Sequence, residues 1–232
     1  MRLALLGYGA MGRLIERLAL EKGHEVSVVI DEADSGLSAD EIAAKLSGSD
    51  VAIDFTVAAA VKRNVAACVS AGIPIVVGTT GWQDERAEIE NIVAAGQGGL
   101  VFGANFSVGV NLFYIIADFA AELFGKFPEY EAFIEEQHHS RKLDSPSGTA
   151  LKLKQVVSDH IKVGDIAATR AGNIPGTHRV GFDGPADQIL LEHTARSREG
   201  FAHGAITAAE WIAGKQGFFE FTQIIDEANI EG

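Results

Sequence analysis

Cysteine is nearly missing: Cys68 is the single one in 232 residues. That excludes an intrachain disulfide and a cysteine zinc cluster, and it fits a reducing compartment, the cytoplasm. Proline, at 5, is too sparse for collagen-like or proline-rich sequence. Positive charge is also scarce. Nineteen Lys and Arg stand against 32 Asp and Glu, a net charge of −13, which argues against DNA, RNA or an anionic membrane as partner. An anionic small ligand would need positive charge gathered in one place. Long apolar runs are missing too: a membrane span takes about 20 residues, and the greasiest stretch, 108–123, carries Asn111, Asp118 and Glu122 and reads as a buried helix. The first residues hold one arginine and a short apolar run, but glycines and then Arg13, Glu16 and Arg17 interrupt it, so no export signal is expected. What is present is a globular composition, 47% hydrophobic and 22% charged, enough for one large or two small domains.

Up to about residue 124, short β-type apolar runs alternate with helical periods. Strands are predicted at 2–6, 25–30, 51–55, 73–77 and 99–102, and helices at 10–22, 58–70, 84–95 and 108–124. Such alternation marks a parallel sheet wrapped by helices. The character changes near Pro128. Residues 129–139 read as a strand, 140–148 as a polar loop and 149–161 as a helix, and 165–198 show alternation and turn chemistry that suggest antiparallel strands. Helical period returns at 204–212, and Phe218, Phe219 and Phe221 suggest a last short strand or a docked tail. The expected fold is α/β: a Rossmann-type doubly wound parallel sheet domain, residues 1–106 and 203–232, plus an α+β domain, 107–202, with a mainly antiparallel or mixed open sheet.

Gly7-Tyr8-Gly9-Ala10-Met11-Gly12 fits G-x-G-x-x-G at the junction of the first strand and first helix, and Asp31 follows at the end of the second strand, roughly 20 residues on. In such a turn Gly7 permits the tight bend, Gly9 lets backbone approach a pyrophosphate, and Gly12 lets the helix pack closely. The helix N-terminus then holds the phosphates. Asp31 is placed to accept from the adenosine ribose hydroxyls. Glu32 adds a second carboxylate that repels a 2′-phosphate, so NADH is preferred, with NADPH possible. Two further glycine-bearing strand ends, Gly78-Thr79-Thr80 and Gly103-Ala104-Asn105-Phe106, share the carboxyl edge of the sheet. They read either as nicotinamide contacts or as plain strand-to-helix turns.

The densest chemistry lies between Glu135 and Ala150. His138 and His139 are adjacent, which invites a metal reading. At a strand end, however, neighbours point to opposite faces, so no metal site is expected from that pair. His138 and Lys142, four apart, fall on one side of a helix or a strand and form a plausible proton-delivering pair. Ser145-Pro146-Ser147-Gly148-Thr149 leads into a helix. Its N-H groups suit a carboxylate or phosphate, although an ordinary Ser cap explains the same residues.

This stretch resembles the dihydrodipicolinate reductase family, whose hallmark E-x-H-H-x-x-K-x-D-x-P-S-G-T-A is met at every fixed position from Glu136 to Ala150. The likeness extends to Gly7 through Gly12, Gly78-Thr79-Thr80, the run from Ala104 to Asn111, Arg170-Ala171-Gly172 and Phe201 to Ala205. The resemblance implies a nicotinamide-dependent reductase of a cyclic dicarboxylate in the diaminopimelate route to lysine, with hydride transfer coupled to loss of the ring hydroxyl as water. It implies His138 as general acid/base and Lys142 as second proton donor. His139, Gly148 and Thr149 would bind substrate carboxylate, and Gly78, Thr79, Thr80, Ala104, Asn105 and Phe106 the cofactor. It also implies a homotetramer joined through the second domain and a hinge near Phe106-Ser107 and Phe201-Ala202. Many family members carry an arginine after the acidic residue of the second strand; this chain has Glu32.

Two other readings compete. A two-domain dehydrogenase of a sugar or semialdehyde would share the layout, but the phosphorylating kind needs a nucleophilic cysteine, and Cys68 falls within a predicted helix. A non-catalytic NAD sensor would need neither His138 nor Lys142.

Overall fold

Leu3, Ala4, Leu5 and Leu6 are all buried in strand β1 (Arg2–Leu6), although successive side chains point to opposite faces. Burial on both sides is the mark of a parallel sheet with helices over each face. The computed structural model describes residues 1–228. In it, β1 joins β2 (Glu25–Ile30), β3 (Val51–Asp54), β4 (Ile75–Val77), β5 (Gly99–Phe102) and β10 (Gly217–Glu220), all parallel, in the order β10-β5-β4-β3-β1-β2. The connection from β1 runs to β2 on one side, and the next, from β2, crosses back past β1 to β3 on the other. The crevice beyond their carboxyl ends is the switch point where open α/β sheets hold ligands. Helices α1 (Ala10–Glu21), α2 (Ala39–Lys45), α3 (Ala58–Ala71), α4 (Arg86–Ala95), α7 (Glu199–Ile212) and α8 (Phe221–Ala228) complete this unit, which comprises residues 1–107 and the chain from Phe201 onward.

Several boundaries differ from expectation for physical reasons. The strand expected at 73–77 starts at Ile75, because Ile73 N–H closes the end of α3 on Cys68 O and Pro74 has no N–H to give. The helix expected at 84–95 begins as a 3₁₀ turn, Gln83–Glu85, before α4. Helix α2 was not anticipated, yet Ser38 and Glu41 form a reciprocal capping box at its start. The aromatic run near 218 is the sixth strand, and α8 follows it directly.

The second unit, residues Val108–Gly200, holds α5 (Val108–Phe124), β6 (Glu131–His138), α6 (Gly148–Ser158), β7 (Ala167–Arg170), β8 (Thr177–Asp183) and β9 (Gln188–Thr194). The sheet order is β7-β6-β8-β9. Strands β8 and β9 are antiparallel, as the turn chemistry suggested, but β7 runs parallel to β6. Helix α6 lies between them in the chain and supplies the crossover a parallel pair requires. One face of the sheet packs Ala132, Ile134, Val180 and Phe182 against Val110, Phe113, Ala117, Leu153 and Val157 of the two helices. Phe182 stacks on Phe124 at 4.4 Å; truncating it to Ala would cost about 3–5 kcal/mol. The opposite face carries Phe133, Leu190 and an ion ladder in which Arg179 meets Glu192 at 2.5 Å and Glu135 at 3.5 Å. No helix among the described residues is long and apolar enough to cross a membrane.

Candidate active site

The first unit presents a cradle made mostly of backbone. Gly7 takes φ +90° and gives its N–H to Ile30 O at 2.8 Å; a Cβ there would run into the carbonyl of Phe55. Only glycine fits such a bend. A Cβ on Gly12 would strike Gly7 O, so Gly12 lets α1 close on the turn. Gly9 differs: its φ is −78° and nothing lies within 4 Å of the place its Cβ would occupy. Gly9 is also the N-cap of α1, which has no side-chain cap and no acidic residue in its first turn. Open space in front of uncapped helix N–H groups fits the pyrophosphate of a dinucleotide. Tyr8 bends away to hydrogen-bond Glu16, with Arg13 over its ring.

Asp31 directly follows β2, and one of its oxygens is already engaged: Oδ1 accepts from Ala33 N–H at 2.9 Å and caps a 3₁₀ turn, Glu32–Asp34. Asp31, Glu32 and Asp34 thus share one turn, with Lys45 paired to Asp34. Asp54, which sequence reasoning passed over, is the hub of the next strand end. Its buried carboxylate accepts from Thr56 N–H (2.9 Å), Thr56 O–H (2.7 Å), Thr79 O–H (2.7 Å) and Asn64 Nδ2 (2.7 Å). An acid closing an otherwise apolar strand was the available signal. Thr79 is therefore held rigidly, Thr80 and Ala104 are exposed, and Asn105 Oδ1 accepts from Ser107 N–H. The ring of Phe106 is buried between Phe55 and Phe221, so its backbone alone is available to a cofactor.

The second unit gathers side chains instead. Along β6 the two-residue period puts Ala132, Ile134, Glu136 and His138 on the helix-covered face, apolar at one end and polar at the other. Strand register then decides the neighbours: Glu136 stands opposite His178 on β8, and His138 opposite Arg170 on β7. Glu136 Oε1 accepts from the Arg170 guanidinium at 2.7 Å and from Ser147 N–H at 2.9 Å. Its Oε2 lies 3.2 Å from His138 Nδ1 and 3.7 Å from His178 Nε2. Ser147 caps α6, accepting from Ala150 N–H at 3.2 Å, and its Oγ lies 3.2 Å from His178 Nε2. Arg170 also reaches the carbonyl of Asp144 at 2.6 Å, tying the loop to the sheet.

Burial acts to raise the Glu136 pKa, but hydrogen bonds from Ser147 and Arg170 outweigh it and hold the carboxyl below its ordinary value. Burial pushes His138 down, opposed by the Glu136 charge and assisted by Lys142 and Arg170. His178 falls to about 4, first through burial and then through His138 beside it. Near neutrality the cluster is one carboxylate with two uncharged imidazoles. Any metal would find its donors in Glu136, His138 and His178, whose ligand atoms lie within 4.8 Å of one another. His139, partnered in that role by adjacency alone, is outside this group.

Lys142 does not align with His138 by strand or helix period, because the chain turns at 140–141. Its N–H closes that turn on His139 O at 3.1 Å, and its ammonium pairs with Asp144 at 2.8 Å, lowering the Asp144 pKa. Gly148 opens α6 with free space before it, and Thr149 is hydrogen-bonded to Tyr114. Gly176, at φ +149°, lies against His138. Arg170 and His178 were not assigned roles from sequence; their signal was the pairing register of β7 and β8, which no single-strand pattern reveals.

Comparison with known proteins matches the family models for the dihydrodipicolinate reductase N-terminus to residues 1–106 and for the C-terminus to residues 109–225. A 4-hydroxy-tetrahydrodipicolinate reductase of Christiangramia forsetii is 37% identical, with 98% of each chain covered. One from Archaeoglobus fulgidus is 35% identical over 97% of this chain and 100% of its own. Among solved structures, dipicolinate-bound dihydrodipicolinate reductase from Paenisporosarcina sp. TG-14 superposes with a TM-score of 0.80 at 22% identity, covering 97% of this chain and 99% of that one.

Proposed function

The chain belongs to the dihydrodipicolinate reductase family, and from that premise we propose how its residues share the reduction of 4-hydroxy-tetrahydrodipicolinate to tetrahydrodipicolinate, a step toward diaminopimelate and lysine. Overall, one hydride and one proton enter the ring system and the 4-hydroxyl leaves as water. A bound nicotinamide supplies the hydride.

Residues 1–106 and 203–232 are assigned to the cofactor. Gly7 through Gly12 and the α1 N-terminus receive the pyrophosphate, Asp31 the adenosine ribose, and Gly78, Thr79, Thr80, Ala104, Asn105 and Phe106 the nicotinamide half. Asp31 and Glu32, the carboxylates of the 31–34 turn that Lys45 does not pair, favour NADH over NADPH, since a 2′-phosphate would meet like charge there. Residues 107–202 are assigned to the substrate. His139, Gly148 and Thr149 bind a ring carboxylate at the open start of α6. His138 takes up and returns a proton at its exposed nitrogen, with no net transfer, and Lys142, the second proton donor, gives the one net proton, which leaves with the 4-hydroxyl as water. This assignment rests chiefly on one observation: an uncharged, buried His138 braced by a carboxylate beside the helix start. Exposed Leu190 on the open sheet face, beside half-buried Phe133, supports assembly into a homotetramer, and the single cysteine suits the cytoplasm.

The test is NADH oxidation followed by absorbance, with substrate made in place from pyruvate and aspartate semialdehyde by the preceding synthase, and NADPH run in parallel. Substrate-dependent oxidation, faster with NADH at low cofactor, is the expected result. NADH binding without oxidation would favour the sensor reading instead.

A further inference from the structure

We infer that Glu136 is a positioning residue for His138: its Oε2 accepts the Nδ1 proton of the neutral imidazole and leaves Nε2 as the nitrogen that exchanges a proton with substrate. The last part rests on the reductase reading above. The carboxylate cannot swing away, because Oε1 is fastened by Arg170 at 2.7 Å and by Ser147 N–H at 2.9 Å, from two different segments. Oε2 and His138 Nδ1 are both buried and stand 3.2 Å apart, yet neither has a hydrogen-bond partner, because the ring N–H is not aimed at the oxygen; a turn of the imidazole brings the two into line. A proton on Nδ1 satisfies both atoms; a proton on Nε2 would set two bare acceptors face to face.

His178 does not compete for that oxygen on equal terms. Its Nε2 is 3.7 Å from Oε2 but 3.2 Å from Ser147 Oγ, and its ring lies edge-on to His138 at 5.0 Å. The other side of His138 is kept clear. A Cβ on Gly176 would stand 3.1 Å from Nε2, and at φ +149° a side chain there is strained as well, so any other residue at 176 would cover the working nitrogen. The charged and titratable groups facing His138 are Glu136 on its own strand, Arg170 on β7, His178 on β8, with His193 of β9 behind it, and Lys142 and Asp144 in the loop. The two carboxylates favour the protonated ring; the two cations and burial oppose it.

Glu136→Gln keeps the shape and removes the charge. It is expected to lower kcat about 100-fold while NADH affinity stays within about twofold. The limb of the pH–activity profile set by His138 should move to lower pH, and Glu136→Asp should recover part of both. In the wild-type protein, imidazole nitrogen-15 resonances of neutral His138 should report the proton on Nδ1. An unchanged kcat and pH profile in Glu136→Gln, an Nε2–H tautomer, or zinc near one per chain in the purified protein would each overturn the inference, the last because Oε2 would then be a metal ligand. If Glu136→Gln does not fold, the wild-type tautomer decides. Absence of wild-type turnover would sink the reductase reading, and the tautomer would still judge Glu136 separately.

Discussion

The glycine cradle assigned to the cofactor and the side-chain cluster assigned to proton transfer are built on opposite principles. In the cradle, function comes from what is missing: no Cβ at Gly7, Gly9 or Gly12, and no side-chain cap on α1. Its parts lie within a few residues of each other. In the cluster, function comes from what is brought together: Glu136 from β6, Ser147 from the start of α6, Arg170 from β7 and His178 from β8. The first can be damaged by adding atoms, the second by removing them. A phosphate bound by backbone needs space and dipoles, whereas a proton delivered at neutral pH needs a tuned side chain with a fixed orientation.

The largest expected effect tests the cluster alone. His138→Gln with Lys142→Ala should reduce kcat by about 10³-fold or more, and NADH affinity measured by fluorescence should change by no more than about twofold. A large loss of NADH binding would abolish the division of labour. The converse change adds atoms to the cradle. Gly9→Val, at φ −78° with open space before it, should weaken NADH at least about tenfold, by loss of the phosphate contacts, and leave the thermal midpoint within about 2 °C. A midpoint that collapses would mean that Gly9 is structural, like Gly7.

A third test uses pH. Folded His178 takes its proton only near 4, against 6.5 for an ordinary imidazole, so between those values the unfolded chain binds more protons and stability falls as pH falls. The contribution is on the order of 3 kcal/mol, complete by about pH 4 and absent above about pH 7. Urea unfolding of wild type and His178→Gln should diverge over this window, and parallel curves would remove the buried-imidazole argument. The smallest effect concerns the ribose. Asp31→Ala with Glu32→Arg should narrow the NADH to NADPH preference by about tenfold, or reverse it, while kcat stays near wild type; an unmoved ratio would relieve the 31–34 turn of that role.

Legibility in the sequence followed the same division. The glycine turn and the β–α alternation are local patterns, and they located five strands of the parallel sheet to within two residues. Pro74 and the Ser38/Glu41 box were equally local but went unread, which misplaced the start of β4 and hid α2. The cluster was visible only in part. Glu136 and His138 share a face by simple alternation, but His178 and Arg170 join them through cross-strand register, set by pairings 32 to 42 residues apart, as in His138↔Arg170 and Glu136↔His178. The parallel course of β7 was illegible for the same reason: nothing within Ala167–Arg170 encodes which way its partner runs.

Strand β10 pairs with β5 from the far side of an entire second unit. During synthesis, residues Val108–Gly200 therefore leave the ribosome as an uninterrupted piece able to close upon itself, while the older sheet waits with the β5 edge bare. Until Gly217–Glu220 emerge, that edge of unpaired amides is open to other chains. The nascent chain is thus most exposed to aggregation after the second unit has emerged and just before Gly217–Glu220 are made, and chaperone demand should peak in that interval.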